Sequence, residues 1–170
     1  MINRSFTPFP ILKTDRLILR QLLISDDKEL FALRSNEKVN KYLDRTPNKI
    51  IEDSQIFIET ILKNQLIYWA ITMNNQLIGT ICLFGFEDSS GKAEIGFELL
   101  PDFQGKGIMY EATSKVIEYS FEMIHLNLLE GFVHKENQPS RKLLKKLNFK
   151  LHSNNNSIDT DFDLFQLMKY

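Results

Sequence analysis

Apolar and polar residues alternate in the middle of the chain with the two-residue period of β-strands. The segments Tyr68–Met73 and Leu77–Leu83 are rich in β-branched and aromatic residues, and the turn formers Asn74 and Asn75 stand between them. In Ala93–Leu100, glutamate and glycine take alternate positions and apolar residues fill the others. The pattern predicts a hairpin followed by a third strand with one polar face.

Outside this region, apolar residues recur at helical spacing or in short runs bounded by turn formers. Four helices are predicted, one after the cap candidates Ser25, Asp26 and Asp27, and three over Asp53–Asn64, Tyr110–Ile124 and Pro139–Leu147. The remaining strands are predicted over Arg16–Leu22, Leu128–His134, Phe149–His152 and Asp161–Lys169.

The order of these elements predicts an α/β fold of the α+β kind. It contains a mixed, mostly antiparallel central sheet of about seven strands flanked by four helices. The fourth and fifth strands should be parallel neighbours, because a helix connects them and such crossovers are right-handed. With 170 residues, of which 43% are hydrophobic, the chain has the size of a single domain, and we assign residues 1–170 to it.

The charge balance disfavours several classes of partner. The chain carries 21 basic and 22 acidic residues, so its overall field attracts neither nucleic acid nor an anionic membrane. No apolar run approaches the ~18 residues of a membrane helix, and the N-terminus lacks a signal-peptide pattern. The single cysteine, Cys82, cannot form an intramolecular disulfide, and the three histidines lack metal-ligand spacing. We therefore expect a cytoplasmic protein without a metal, a nucleic-acid partner or a membrane anchor.

A glycine-rich turn, Gln104-Gly105-Lys106-Gly107, lies between the fourth strand and the helix that follows it. Glycines let backbone N–H groups approach a ligand closely, and a helix N-terminus adds positive potential. The turn can therefore form a pyrophosphate cradle, although a tight turn with a solvated lysine is an equally good interpretation. It is not a dinucleotide motif, because Tyr110 stands where G-x-G-x-x-G requires its third glycine.

Longer segments resemble a known family. Gln104–Met109 resembles the pyrophosphate-binding Gln/Arg-x-x-Gly-x-Gly/Ala signature of the GNAT N-acetyltransferase superfamily, with a departure at Met109. Four further segments are similar to the branch typified by ribosomal-protein-alanine N-terminal acetyltransferases: Leu12–Arg20, Glu94–Phe97, Glu111–Ala112 and Glu136–Phe149. Because the pieces occur in the family's order on independently predicted elements, the chain is identified as a member of this superfamily.

The resemblance implies that acetyl-CoA is the cosubstrate and lies in a gap where strands four and five splay apart. The open backbone edge of Glu98, Leu99 and Leu100 would bind the pantetheine amides, as an added strand does. The pyrophosphate would lie on the glycine turn, whose residues are Gln104, Gly105, Lys106, Gly107, Ile108 and Met109. The ammonium of Lys106 either adds a charge near the phosphates or is merely solvated.

Acetyl transfer to an amine requires an acceptor that has lost its proton, a polarised thioester carbonyl and a proton for the thiolate. A carboxylate can take the first proton. The candidates are Glu94, Glu98 and Glu130, of which we expect Glu98 first and Glu130 second, although glutamates on strands are commonly half-exposed surface residues. Backbone N–H groups near Leu99 and Leu100 would polarise the carbonyl.

The pair Asn137-x-x-Ser140 begins the last predicted helix. In the branch that this chain resembles, the matching asparagine binds the pantetheine arm. The matching serine lies beside the sulfur, as a proton donor or an anion stabiliser. The alternative is helix capping, which both residue types perform well, and the two roles are compatible because Pro139 suits a first helical turn.

The resemblance thus implies transfer of an acetyl group from acetyl-CoA to a primary amine by direct attack. The alternative is an acyl-CoA-binding sensor or interaction module without transfer activity. The acceptor is a protein N-terminus, a polyamine or another small amine, and the loops around Asn40–Lys49 and Leu83–Gly91 should shape its pocket. Dimers are common in the family, so a homodimer is compatible with this interpretation.

Overall fold

One eight-stranded sheet forms the centre of the fold. The structure is a computed structural model and describes residues 2–3, 5–152 and 161–169. The strands are β1 Leu12–Lys13, β2 Ile18–Gln21, β3 Tyr68–Met73, β4 Gln76–Glu87, β5 Lys92–Leu99, β6 Leu128–His134, β7 Lys150–His152 and β8 Phe162–Met168. Their spatial order is β1-β2-β3-β4-β5-β6-β8-β7, and only β5 and β6 are parallel among the pairs described. The mixed, mostly antiparallel sheet is confirmed, with β5 and β6 as the fourth and fifth predicted strands.

Five α-helices cover the sheet within the described ranges. They are α1 Asp27–Arg34, α2 Glu37–Asn40, α3 Ile51–Lys63, α4 Ile108–Glu122 and α5 Gln138–Lys146. The four predicted helices correspond to α1, α3, α4 and α5. The additional helix α2 is a single turn, and the side chain of Asn36 caps it by accepting hydrogen bonds from the N–H groups of Lys38 and Val39. No helix in these ranges is long and apolar enough to cross a bilayer.

The sheet has an apolar core on each face because side chains alternate along every strand. Trp69 and Ile71 of β3 are buried in the larger cluster, where the ring of Trp69 lies 5.9 Å from that of Tyr119 on α4. Ala70 belongs to the second cluster, together with residues of α1 and α3 such as Leu30. The helices α1 and α3 therefore lie on the face opposite to α4.

Two local features position the functional site. Asn74 and Asn75 both have left-handed backbone angles, φ 51° and 63°, which confirms the predicted tight hairpin between β3 and β4. The parallel pairing of β5 with β6 extends only from Lys92–Leu128 to Glu94–Glu130. Beyond these residues the two strands diverge, and this divergence confirms the predicted splay.

Candidate active site

The gap between β5 and β6 opens into a cavity of about 540 Å³. Its walls come from the diverging halves of both strands, the turn before α4, the beginning of α5 and the loop after α2. The sequence-predicted residues that line it are Glu98, Leu99, Gln104, Gly105, Gly107, Ile108, Met109, Asn137 and Ser140. Leu100, Lys106 and Glu130 do not line it, although the structure describes all three.

The loops that flank the sheet contribute unequally to the cavity. The loop after α2 supplies Tyr42, Leu43 and Asp44 to the wall, as expected for the segment Asn40–Lys49. The segment Leu83–Gly91 is fully described and supplies none of the lining.

The backbone edge of β5 faces the gap at Leu99. The N–H of Leu100 donates a 2.9 Å hydrogen bond to the carbonyl of Ile78 on β4. Because backbone groups alternate sides along a strand, Leu99 faces the opposite, open edge. Its carbonyl accepts a 2.9 Å hydrogen bond from Nε2 of Gln104, which ties the glycine turn to the end of the strand. The expectation for the N–H of Leu100 is therefore corrected, since that donor is already used within the sheet.

The glycine turn presents a row of unused backbone donors. Gly105 and Gly107 have φ angles of 73° and 75°, in the left-handed region that side chains disfavour. The N–H groups of Gly105, Lys106 and Gly107 donate to no other part of the described chain. Those of Ile108–Tyr110 form the first turn of α4, where no intrahelical acceptor exists. A Cβ added at Gly105 would meet no atom within 4 Å, so the turn is open to a ligand.

Lys106 contributes its backbone to this turn while its side chain lies elsewhere. The Nζ atom lies 5.8 Å from the ring centroid of Phe103. The side chain does not line the cavity.

A network from the N-terminal segment holds the turn in place. Arg16 donates a 3.1 Å hydrogen bond from Nη1 to the carbonyl of Lys106, and its Nε lies 2.6 Å from Oε2 of Glu111 on α4. The hydroxyl of Thr14 donates to Oε1 of Glu111 at 2.5 Å, and the N–H of Arg16 donates to the same oxygen at 3.0 Å. Burial of Glu111 opposes its ionisation, but the bonds from Thr14 and Arg16 lower its pKa overall.

The sequence contained a signal for this network, because Leu12–Arg20 and Glu111–Ala112 are both among the segments that resemble the family. No pattern in the chain linked them to each other, and the supporting roles of Arg16 and Glu111 were missed.

The side chain of Asn137 caps the N-terminus of α5, a position that asparagine favours. Its Oδ1 accepts a 3.2 Å hydrogen bond from the N–H of Ser140. The hydroxyl of Ser140 makes no hydrogen bond with a residue that the structure describes, and this half-buried side chain lies in the cavity wall. The cap therefore uses the main chain of Ser140 and leaves its side chain available.

Glu98 lies in a group of buried and half-buried polar side chains, which we call the Glu98 cluster: Arg34, Arg45, Thr80 and Glu98. Oε1 of Glu98 accepts a 3.0 Å hydrogen bond from the Thr80 hydroxyl and lies 3.7 Å from Nη1 of Arg34. Oε2 forms an ion pair with Nη2 of Arg45 at 2.5 Å. Glu98 is only 8% exposed. Two guanidinium groups share one carboxylate, so the cluster carries an excess positive charge beside the cavity.

The two arginines of the cluster come from separate elements. Arg34, at the end of α1, lies 3.9 Å from the ring centroid of Phe57, and burial lowers its pKa while the charge of Glu98 opposes that shift. Arg45 lies in the loop after α2, where its Nε donates a 2.7 Å hydrogen bond to Oδ1 of Asn40. No local pattern in the sequence connects either arginine with β5.

Glu94 and Glu130 lie side by side at the closed end of the gap. Glu130 forms an ion pair with Lys92 at 3.1 Å and accepts a 2.8 Å hydrogen bond from Gln166. Burial, with the neighbouring charge of Glu130, raises the pKa of Glu94. Both carboxylates are therefore separated from the cavity lining, whereas Glu98 belongs to it.

Neither thiol nor metal chemistry is supported by the described side chains. Burial raises the pKa of Cys82 to about 12, so the thiol stays protonated near neutral pH. No group of three or more histidine, cysteine, aspartate or glutamate side chains within the described ranges is arranged to hold a metal ion.

Comparison with known proteins identifies the family. Residues 16–150 match the family model described as "Acetyltransferase (GNAT) domain". The chain is 35% identical over 147 residues to the uncharacterized N-acetyltransferase YoaA of Bacillus subtilis, with 83% of each chain covered. It is 25% identical over 132 residues to the spermidine N(1)-acetyltransferase of Escherichia coli K12, with 77% and 71% covered.

Solved structures show the same fold. A GNAT-family acetyltransferase from Bacillus anthracis superposes with a TM-score of 0.83 at 19% identity, over 94% of this chain and 98% of the other. RimL, a ribosomal L7/L12 α-N-protein acetyltransferase solved in complex with coenzyme A, superposes with a TM-score of 0.80 at 19% identity, with 94% and 98% covered. Together with the match of the family model over most of the chain, these findings show that the protein is an acetyltransferase of the GNAT family.

Proposed function

We propose that this enzyme transfers the acetyl group of acetyl-CoA directly to a primary amine, on a protein N-terminus or a small molecule. The observation that carries the proposal is a continuous cavity. It runs from the unused N–H groups of the glycine turn, through the gap between β5 and β6, to Ser140 and Glu98. A thioester with a long phosphorylated arm fits that sequence of contacts.

The glycine turn binds the pyrophosphate in this proposal. Six consecutive N–H groups from Gly105 to Tyr110 have no acceptor among the residues that the structure describes, and the N-terminus of α4 adds positive potential. Gln104 fixes the turn against Leu99, whose N–H faces the gap and is available to a pantetheine amide. Asn137 lies on the opposite wall.

In this proposal the Ser140 hydroxyl stabilises the departing thiolate through a hydrogen bond, or relays a proton to it and regains one from solvent so that the hydroxyl is restored. Acetyl-CoA contributes an activated acyl group, and its carbon–sulfur bond breaks as the new carbon–nitrogen bond forms. The hydroxyl of Ser140, which has no partner among the described residues, is a suitable hydrogen-bond donor at the cavity wall, because the helix cap uses only its main chain.

Glu98 is our candidate for the base that removes a proton from the acceptor amine, directly or through one water. It is the one of the three candidate glutamates that lines the cavity. The same carboxylate anchors Arg45 and the loop that carries it, so a positioning role is the alternative. The pH dependence of turnover separates the two roles, because a base matters most when the acceptor is protonated.

We expect Glu98→Gln to lower turnover most at acidic pH, where the acceptor is most fully protonated. Glu130→Gln is the matched control, since it also removes a buried carboxylate from an ion pair on the sheet but outside the cavity. Full pH profiles of kcat and of kcat/KM for the wild type and both variants are the measurement. Melting temperatures accompany them, because breaking a buried ion pair costs about 3–5 kcal/mol. Profiles of identical shape for the wild type and Glu98→Gln would leave Glu98 as an anchor of Arg45.

An acceptor screen tests the function as a whole. One relative is named for spermidine and one structural neighbour for a ribosomal protein N-terminus. The panel should therefore contain polyamines, peptides with free N-termini, and small amino compounds. We expect acceptor-dependent release of free thiol from acetyl-CoA for at least one class. Tight binding of acetyl-CoA with no acceptor-dependent release by any compound would favour the acyl-CoA-binding module instead.

A further inference from the structure

We propose that Lys142 and Lys146 of α5 bind the phosphate monoester on the ribose of coenzyme A. This inference rests on the proposed function, since it assigns a second anion site to the same cosubstrate. The site is separate from the glycine turn, which uses backbone N–H groups, and from Ser140 at the sulfur end.

The basic residues of α5 divide into two pairs with different surroundings. The helix contains Arg141, Lys142, Lys145 and Lys146 and no acidic residue. Arg141 forms an ion pair with Asp163. Lys142 and Lys146 are four residues apart, hence on one face of the helix, and both line the cavity, whereas Lys145 does not.

Lys146 lies close to the pyrophosphate end of the cavity. Its Nζ atom is 4.6 Å from the ring centroid of Tyr110, which belongs to the first turn of α4 and lies three residues after Gly107. Tyr110 also lines the cavity. The ammonium of Lys146 is thus adjacent to the turn that would hold the pyrophosphate, with Lys142 one helical turn further along the wall.

Without a bound anion, the positive charges of Lys142 and Lys146 are close together and uncompensated by a described carboxylate. Like charges four residues apart on a helix repel each other. No salt bridge joins Lys142 or Lys146 to a carboxylate of the residues that the structure describes. An anion placed between them would relieve the repulsion.

The chemistry of coenzyme A supplies such an anion at a suitable place. Its ribose carries the pyrophosphate arm on one carbon and a phosphate monoester on another, so the two anions are one sugar apart. A phosphate monoester carries about −1.5 to −2 charges at neutral pH and binds lysine ammonium groups well. A molecule held by its pyrophosphate on the glycine turn can therefore direct its monoester at α5.

The test compares acetyl-CoA with 3′-dephospho-acetyl-CoA by titration calorimetry, on the folded wild type and on two double variants. Lys142→Gln with Lys146→Gln removes the proposed site. Lys145→Gln with Lys150→Gln removes the same charge from exposed positions outside the cavity. We expect the wild type to bind acetyl-CoA about ten-fold more tightly than the dephospho compound, a preference that weakens as salt is raised.

The first double variant should lose this preference and bind both compounds with the affinity that the wild type has for the dephospho form. The control double variant should keep it. An undiminished preference in Lys142→Gln with Lys146→Gln, or none in the wild type, overturns the proposal. Failure of the wild type to bind either compound would refute the proposed function itself, and the two failures are therefore distinguishable.

Discussion

Replacing Gly107 by aspartate should weaken acetyl-CoA binding severely. The new carboxylate would lie at the N-terminus of α4, where it occupies the positive potential that the pyrophosphate requires. At an effective dielectric constant of about 20, two like charges about 4 Å apart repel by about 4 kcal/mol. Allowing for screening by salt, we expect the dissociation constant to rise by about a hundred-fold or more. Titration calorimetry measures it.

Two controls separate charge from backbone strain in this experiment. Gly107→Asn has the shape of the aspartate without its charge and tolerates the left-handed angle of 75° comparatively well. Gly107→Ala adds only a Cβ, which would lie 3.6 Å from Nη2 of Arg16. Both should bind acetyl-CoA more tightly than Gly107→Asp does. A folded Gly107→Asp enzyme with wild-type affinity would mean that the pyrophosphate lies elsewhere.

The second large effect is expected for Ser140→Ala. Removing a hydroxyl that protonates or stabilises the leaving thiolate should lower the turnover number by about ten- to a thousand-fold, with cofactor affinity nearly unchanged. The helix cap should survive, because the bond to Asn137 comes from the main-chain N–H of residue 140. The measurement is the turnover number under conditions where the chemical step is rate-limiting.

Asn137→Ala is the matching variant for binding and stability. It removes the cap of α5, which should cost about 0.5–2 kcal/mol of unfolding free energy. Losing one hydrogen bond to the pantetheine arm should also raise the apparent cofactor constant several-fold, at about 1 kcal/mol per bond. Wild-type turnover in a stable Ser140→Ala enzyme would mean that Ser140 has no role beyond that of a residue at the start of α5.

The sequence predicted those parts of the fold that depend on neighbouring residues. The hairpin at Asn74-Asn75, the long helices and the glycine turn each carry a local pattern, and each is present. The two-residue strand β1 and the four-residue helix α2 are too short to carry one. Helix α4 begins at Ile108 rather than Tyr110, directly after Gly107, which is its N-cap residue.

The candidate site was predictable as far as alternation along a strand determines it. Alternation correctly places Glu94 and Glu98 on the same face of β5. It does not determine the register between two parallel strands. The pairing of Glu94 with Glu130 puts Glu130 at the closed end of the gap. The Glu98 cluster depends on Arg34 and Arg45, which approach β5 only through tertiary packing, and nothing in the sequence near Glu98 indicates them.

The network of Thr14, Arg16 and Glu111 joins the N-terminal segment to the glycine turn of the proposed cosubstrate site, in the second half of the chain. Its bonds span between 90 and 97 residues of sequence, so the turn reaches its final support only when the N-terminal segment has docked. If the turn binds acetyl-CoA as proposed, docking of that segment and binding of acetyl-CoA are thermodynamically linked, and each strengthens the other to the same extent. We expect a chain shortened to begin after Arg16 to bind acetyl-CoA less tightly, although it would retain every residue of the turn.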